Sequence, residues 1–143
     1  MPAEPQADSI KLDVPDFAVK TVDGQDVRLS ELVADKPTLV GFWASWCHNC
    51  QRNLPIQNDL YQEFKDQVNV LEVNMGEGEG LVKNYLDNKG YDFIIGLDQN
   101  SDVARLYGIR YTNTHVLIGS DGQLIDAFSG DIDRSHFELL ANS

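Results

Sequence analysis

Residues 39–50 read LVGFWASWCHNC, an apolar run that ends in two cysteines separated by two residues. The run belongs to residues 37–45, which are mostly apolar, as expected of a short strand that is buried on both faces of a sheet. Residues 49–66 continue with apolar side chains near helical spacing. The pattern therefore places Cys47 after a central strand and Cys50 at the start of a helix.

Strand-like and helix-like segments alternate on both sides of this stretch. Two hairpins are predicted, at residues 16–29 and 114–130, because each contains an Asp-Gly turn signal between alternating runs. Further strands are predicted at 68–74 and 93–98, and further helices at 30–35, 79–90, 101–109 and 133–142. Within these helices, Ser30 and Ser101 are expected to be N-caps, and Leu81, Tyr85 and Leu86 are expected to face the core.

This order of elements indicates the fold class. Strands that alternate with helices, followed by a final hairpin and helix, predict an α/β domain with a central mixed β-sheet flanked by helices. The first hairpin is then an N-terminal β-hairpin extension. We assign residues 10–143 to this domain, and residues 1–9, which are rich in Pro, Ala and acids, to a flexible leader or linker.

The composition is that of one acidic globular domain. The chain has 143 residues, of which 42% are hydrophobic, so it is long enough to bury one sizeable core. The net charge of -12 would repel a phosphate backbone or an anionic membrane surface, and we expect no nucleic-acid partner. No apolar run approaches the roughly 18 residues of a membrane helix, and the first residues lack the features of a signal peptide.

The position of the two cysteines favours redox chemistry. Unpaired backbone N–H groups at the start of a helix stabilise an anion. The pKa of a free thiol is near 8.5, and in CxxC motifs at helix N-termini it falls to between about 3.5 and 7.5. Cys47 should therefore be partly ionised at neutral pH. Two intervening residues also bring the sulfurs close enough to form a small disulfide ring that opens and closes.

Two structural interpretations of the pair are less favoured. A disulfide across so short a loop constrains the unfolded chain little, because the stabilisation grows with loop length. A structural zinc site normally needs four ligands. The chain has no second CxxC, and its three histidines, His48, His115 and His136, are scattered along the sequence.

These residues resemble the thioredoxin-like proteins, and within them the TlpA/ResA-like thiol-disulfide oxidoreductases of the bacterial envelope. The specific part is WCxxC after an apolar strand, with Pro55 five residues beyond the second cysteine. The resemblance runs from about residue 14 to residue 140 and includes PDF at 15–17, VNMGE at 73–77, YGIRYTNTHVLIGSDGQL at 107–124 and Gly130. It implies a thioredoxin fold.

The resemblance also implies roles for the residues of the motif. Cys47 would be the exposed nucleophile, and Cys50 the more buried thiol that resolves the mixed disulfide. Trp46 would shield the pair and shape the docking surface. His48 and Asn49 replace the Gly-Pro of thioredoxin, and the imidazole of His48 should favour the thiolate of Cys47.

Two further positions distinguish this chain from cytosolic thioredoxin. Thioredoxin has a buried aspartate in the strand under its cysteines, whereas this chain has Gly41, so that proton acceptor is missing. Glu77 aligns with a glutamate that TlpA/ResA-like proteins place near their cysteines. In an apolar crevice its pKa would be raised, and it could hold a proton near the thiols.

The largest departure from the family pattern lies at Thr112-Asn113. The family has a proline after the threonine, with a cis peptide bond that brings the backbone to the substrate. A non-proline cis bond costs about 2.5–4 kcal/mol, so Asn113 is expected to be trans or strained. Thr112 and Asn113 are the predicted substrate-docking positions of this loop.

Three other functions stay open. Some thioredoxin-like proteins bind copper through two cysteines and a distant histidine, and Cys47, Cys50 and His115 could bind Cu(I) in a metallochaperone. A peroxiredoxin is a second alternative, although Ala44 stands where such an enzyme needs a threonine. The third is a binding module that keeps the fold without redox activity.

The resemblance finally implies a setting for the protein. It suggests an extracytoplasmic reductant of the cytochrome c maturation type, which acts on the disulfides or dithiols of partner proteins and is re-reduced by a membrane electron donor. We expect a monomer that needs no cofactor and no metal. A native signal or anchor is expected to have been removed upstream of residue 1.

Overall fold

The computed structural model describes residues 10–143, and the proposed leader at residues 1–9 lies outside the described residues. The described chain forms a seven-stranded mixed sheet in the order β2-β1-β5-β4-β3-β6-β7, flanked by five helices. The strands are β1 (Ala18–Thr21), β2 (Asp26–Arg28), β3 (Thr38–Trp43), β4 (Asn69–Met75), β5 (Ile94–Asp98), β6 (Thr114–Ile118) and β7 (Leu124–Ser129). The helices are α1 (Leu29–Asp35), α2 (His48–Phe64), α3 (Glu79–Leu86), α4 (Asp102–Leu106) and α5 (Arg134–Ala141). The predicted α/β architecture with an N-terminal hairpin is confirmed.

The central strand of this sheet is β3. It pairs in parallel with β4 and antiparallel with β6, and all six of its residues are buried. Because side chains alternate along a strand, Leu39, Gly41 and Trp43 face the same side of the sheet. That side, called the α2 side below, is covered by α2, α3 and α5, whereas α1 and α4 cover the opposite side. None of the helices between residues 10 and 143 is both long and apolar enough to span a bilayer.

Of the two predicted serine caps, Ser101 occupies the N-cap position of α4, whereas Ser30 does not cap α1. Ser30 lies inside α1, where its backbone N–H and its hydroxyl each donate to the Asp16 carboxylate at 2.9 Å. Ser101 precedes α4 without a side-chain capping bond. Instead, the Asp98 carboxylate accepts two backbone N–H groups of the first turn of α4, both at 3.0 Å. Each aspartate lies outside the helix that it caps, in a segment that the fold brings to the helix start.

Of the three residues of α3 predicted to face the core, Tyr85 and Leu86 pack against it, but Leu81 does not. Leu81 is 52% exposed, whereas Val82 is fully buried. The apolar residues of this segment form two rows of spacing four, one from Leu81 to Tyr85 and the other from Val82 to Leu86, and the two rows lie about 100° apart on a helix. Val82 faces the sheet, and Tyr85 and Leu86 flank it against the same core, with the Tyr85 ring centroid 5.6 Å from that of Trp43.

Candidate active site

The cysteine pair lies at the N-terminus of α2, as predicted. Cys47 is the N-cap residue, and its Sγ accepts a hydrogen bond from the backbone N–H of Cys50 at 3.1 Å. The two cysteines form a disulfide, with their Cα atoms 5.2 Å apart. Cys47 is 6% exposed and Cys50 is 2% exposed. Cys47 is therefore the more accessible sulfur, but in the disulfide form it is itself nearly covered.

The two tryptophans of the motif have different environments. Trp43 ends β3 on the α2 side and is buried, whereas Trp46 is 64% exposed. His48 and Asn49 are exposed as well, and the Asn49 side chain accepts a hydrogen bond from Arg52 at 3.0 Å. The surface next to the disulfide is therefore formed by an indole, an imidazole and an amide. Their contribution to substrate binding stays a prediction.

Glu77 is half-buried in the loop between β4 and α3, where it binds the segment that precedes the cysteines. One carboxylate oxygen accepts the Ser45 backbone N–H at 2.8 Å and the Asn74 amide at 2.9 Å. The other accepts the Ser45 hydroxyl at 2.6 Å. Because Ser45 lies two residues before Cys47, Glu77 fixes the backbone from which the disulfide is presented. Its predicted role in holding a proton stays a prediction.

A second carboxyl group, which the sequence reasoning missed, lies deeper under α2. Glu72 on β4 pairs with Gly41 on β3, is 1% exposed, and has no hydrogen-bond partner for its Oε2 atom among the described residues. A Cβ atom at Gly41 would overlap the Glu72 carboxyl group. Burial raises the pKa of Glu72 to about 8. The space beside Gly41 is therefore filled by an acid from the neighbouring strand.

Gly41→Ala should destabilise the protein by about 1–3 kcal/mol, because the added methyl group must displace a fully buried carboxyl group. Urea denaturation of the disulfide form at pH 6 measures this cost. In a Glu72→Ala background the space is empty, so the same substitution should cost little or nothing. An equal cost in both backgrounds would show that the overlap with Glu72 is not the cause.

His115 lies in the same row as Glu72, on the other side of Gly41, because β6 pairs His115 with Gly41. Its Nε2 atom is 2.8 Å from the carbonyl oxygen of Gly130, and burial lowers the pKa of the ring to about 4. Among residues 10–143, no three His, Cys, Asp or Glu side chains are grouped so that they could hold a metal ion. The copper hypothesis for Cys47, Cys50 and His115 therefore has no support in the part of the chain that the structure describes.

Asn113 replaces the expected proline with a left-handed backbone conformation. Every peptide bond among the described residues is trans, and φ of Asn113 is +60°. Its backbone N–H donates to the carbonyl of Phe42 at 2.7 Å, and its carbonyl accepts from Gly130 at 2.9 Å. Its side-chain amide donates to Asp131 at 3.0 Å. Asn113 thus joins the end of β3 to residues 130–131, and substrate contacts of Thr112 and Asn113 stay a prediction.

Comparisons with known proteins agree with this geometry. The sequence profile of the AhpC/TSA family matches residues 10–127. The thiol-disulfide oxidoreductase ResA of Halalkalibacterium halodurans is 32% identical over 123 residues, which cover 85% of this chain and 69% of the relative. ResA of Bacillus subtilis is 30% identical over 124 residues, which cover 86% of this chain and 69% of the relative.

Solved structures give the same result. A putative thiol:disulfide interchange protein DsbE from Chlorobium tepidum superposes with a TM-score of 0.80 at 26% identity, covering 93% of this chain and all of that one. The exposed lipoprotein thioredoxin Etrx1 of Streptococcus pneumoniae superposes with a TM-score of 0.77 at 27% identity, covering 90% of this chain and 98% of that one. The thioredoxin fold implied by the sequence motifs is confirmed.

Proposed function

Because this chain belongs to the AhpC/TSA family and is a thioredoxin-fold thiol-disulfide oxidoreductase of the ResA type, we propose that it reduces disulfides of partner proteins outside the cytoplasm, in the manner of cytochrome c maturation. The observation that carries the proposal is the geometry of the cysteine pair. Cys47 caps α2 and its sulfur accepts the Cys50 N–H, so the helix start stabilises a thiolate on Cys47 once the disulfide is reduced.

The proposed reaction consists of two successive thiol-disulfide exchanges. The Cys47 thiolate attacks one sulfur of the partner disulfide, a bond forms between these two sulfurs, and the second partner cysteine leaves as a thiolate that takes a proton. The Cys50 thiolate then attacks Cys47 Sγ, which forms the Cys47–Cys50 disulfide and releases the first partner cysteine. Two electrons pass to the partner, and a donor dithiol must restore the reduced pair.

The charge and surface of the chain favour a particular kind of partner. A net charge of -12 repels acidic partners and accelerates the approach of basic ones. Trp46 and Tyr111 are 64% and 68% exposed, and large aromatic side chains at the surface are typical of protein contacts. We therefore propose that the substrate is a disulfide in a basic or unfolded polypeptide.

The setting outside the cytoplasm rests on the relatives. The Streptococcus pneumoniae protein is described as an exposed lipoprotein. In such a compartment a reductant needs a supply of electrons across the membrane, so the donor of this protein would be a membrane dithiol protein.

The reduction potential of the Cys47–Cys50 pair tests the direction of electron flow. The protein is equilibrated with defined ratios of oxidised and reduced glutathione, or of oxidised and reduced dithiothreitol for lower potentials. Free thiols are then alkylated, and mass spectrometry gives the reduced fraction. A reductant should give a potential near that of thioredoxin, about -270 mV. A value near about -120 mV, the range of DsbA, would contradict the proposed direction.

A further inference from the structure

Buried polar groups without partners are concentrated on the α2 side of the sheet. Among the described residues they are Trp43 Nε1, Gln57 Oε1, Glu72 Oε2, Asn74 Oδ1 and His115 Nδ1. Strand alternation places the four strand residues on the face that α2 covers, and Gln57 belongs to the buried face of α2 itself. Buried polar atoms normally have hydrogen-bond partners. Five unpaired ones on one side of the sheet therefore call for an explanation other than packing.

Glu72 lies under the first turns of α2, where the cysteines are. The strands β3 and β4 are parallel and α2 connects them, so α2 starts at the carboxyl end of β3 and runs back over the sheet. Gly41 precedes Trp43 by two residues, and the Glu72 carboxyl group lies over Gly41. Cys50 points into the same interior, since it is buried and packs in the cluster that contains Trp43.

We propose that the Glu72 carboxyl group exchanges one proton with the Cys50 thiol each time the Cys47–Cys50 disulfide closes or opens. In the closing step, Cys50 Sγ–H gives its proton to a Glu72 carboxylate oxygen, Cys50 Sγ bonds to Cys47 Sγ, and the bond from Cys47 to the partner sulfur breaks with its electron pair on the partner. Opening reverses each transfer. The inference rests on the proposed function and adds a residue to it.

The surroundings of Glu72 make it suited to this exchange. In the sheet, Glu72 lies between Gly41 of β3 and Ile95 of β5, and His115 of β6 lies beyond Gly41 in the same row. The helices α2, α3 and α5 cover this side of the sheet. His115 is neutral at neutral pH because burial lowers its pKa. Burial is the one influence on the Glu72 carboxyl group, and no cation among residues 10–143 offsets it, so its pKa rises to about 8, close to that of a thiol. Proton transfer between groups of similar pKa costs little free energy.

Polar side chains continue from Glu72 to the protein surface. Asn74 lies two residues further along β4 on the same face, and its amide donates to Glu77 at 2.9 Å. The oxygen of the same amide group, Asn74 Oδ1, is buried and has no hydrogen-bond partner among residues 10–143. Glu77 is half-buried. Asn74 and Glu77 therefore form a hydrogen-bonded pair between the level of Glu72 and the surface, although no hydrogen bond joins Glu72 to Asn74 among the described residues.

The closing step can be observed alone with 5-thio-2-nitrobenzoate as the leaving group. The reduced full chain is converted to the mixed disulfide on Cys47, and release of the coloured thiolate by Cys50 is followed from pH 6 to pH 10. In the unmodified protein the rate should level off as Glu72 ionises. Glu72→Gln should slow release about 10- to 100-fold below pH 8. In this variant the rate should continue to rise with pH as Cys50 itself ionises, without levelling off. Glu72→Asp should restore part of the rate.

Glu31→Gln is the matched control, because Glu31 is exposed on α1, on the opposite side of the sheet. It should release the thiolate as fast as the unmodified protein. Equal rates and pH profiles in the unmodified protein, Glu72→Gln and Glu31→Gln would overturn the role of Glu72 and leave the proposed function intact. Failure of the unmodified protein to release the thiolate would instead overturn the proposed function.

A second measurement does not depend on the folding of a variant. The carboxyl carbon of Glu72 is titrated by NMR in the disulfide and dithiol forms of the unmodified protein. Coupling to Cys50 should give different midpoints in the two forms. The same midpoint in both forms would overturn the proposal.

Discussion

Cys47→Ser is expected to reduce disulfide exchange by at least about 10³-fold, the order of loss when an enzyme loses its nucleophile. A serine hydroxyl is not ionised at neutral pH and forms no bond of disulfide type, so the helix start has no anion to stabilise at this position. Cys50 is 2% exposed and cannot substitute as the attacking group for a protein partner. The measurement is turnover of a disulfide-containing protein substrate, with dithiothreitol as the electron donor.

Cys50→Ser is the matched variant and should fail in a different way. Cys47 still attacks the partner, but no second thiol resolves the mixed disulfide, so the covalent complex accumulates and is seen by non-reducing electrophoresis. Both variants lack the disulfide, so the reduced unmodified protein is the correct reference for their folding. If Cys47→Ser instead trapped the partner and Cys50→Ser did not, the assignment of nucleophile and resolving thiol would be reversed.

The elements around these cysteines could be predicted because local patterns determine them. The strand β3 is a continuous apolar run, and the two hairpins carry Asp-Gly turns, so the sequence alone identifies them. The helix starts at α1 and α4 could not be predicted in the same way. The first-turn N–H groups of α1 bind Asp16, 14 residues before Ser30, and those of α4 bind Asp98 at the end of β5, five and six residues upstream, instead of the serine at the predicted cap.

The same distinction applies to the candidate site. Cys47 and Cys50 are adjacent on the helix that contains them, so spacing was enough to find the pair. Glu72 was missed because its position under α2 depends on the register between β3 and β4, and no local pattern encodes that register. One signal was present, however: Glu72 is the only acid in residues 68–74, an otherwise apolar strand with two asparagines, and an unpaired acid there suggests a buried carboxyl group.

Glu72 should also make the free energy of unfolding fall as the pH rises from about 6.5 to 8. Its pKa is about 8 in the folded protein and near 4.5 in the unfolded chain, so the folded state binds the extra proton between these values. Stability from this group is complete below pH 4.5 and decreases by about 1.4 kcal/mol per pH unit until the folded pKa is passed. The full range corresponds to roughly 5 kcal/mol, an upper limit for a buried carboxyl group.

His115 has the opposite effect at lower pH. Its pKa is about 4 in the folded protein, against 6.5 in the unfolded chain, so the unfolded state binds the extra proton and stability rises between these values. From about pH 4.5 to 6.5 the two slopes cancel. From 6.5 to 8 only Glu72 contributes, and the loss over that window is about 2 kcal/mol. The cysteines do not titrate in the disulfide form.

Urea denaturation of the oxidised protein at half-unit pH steps measures these slopes. Glu72→Gln, which stays neutral, should abolish the decrease between pH 6.5 and 8 and should be the more stable protein at pH 8. His115→Gln should remove the opposing slope, so that the decrease begins near pH 4.5. Glu31→Gln should reproduce the unmodified profile. A flat profile from pH 6.5 to 8 in the unmodified protein would show that Glu72 ionises in the folded state at its ordinary pKa, since a buried carboxyl group that stays protonated must produce the decrease.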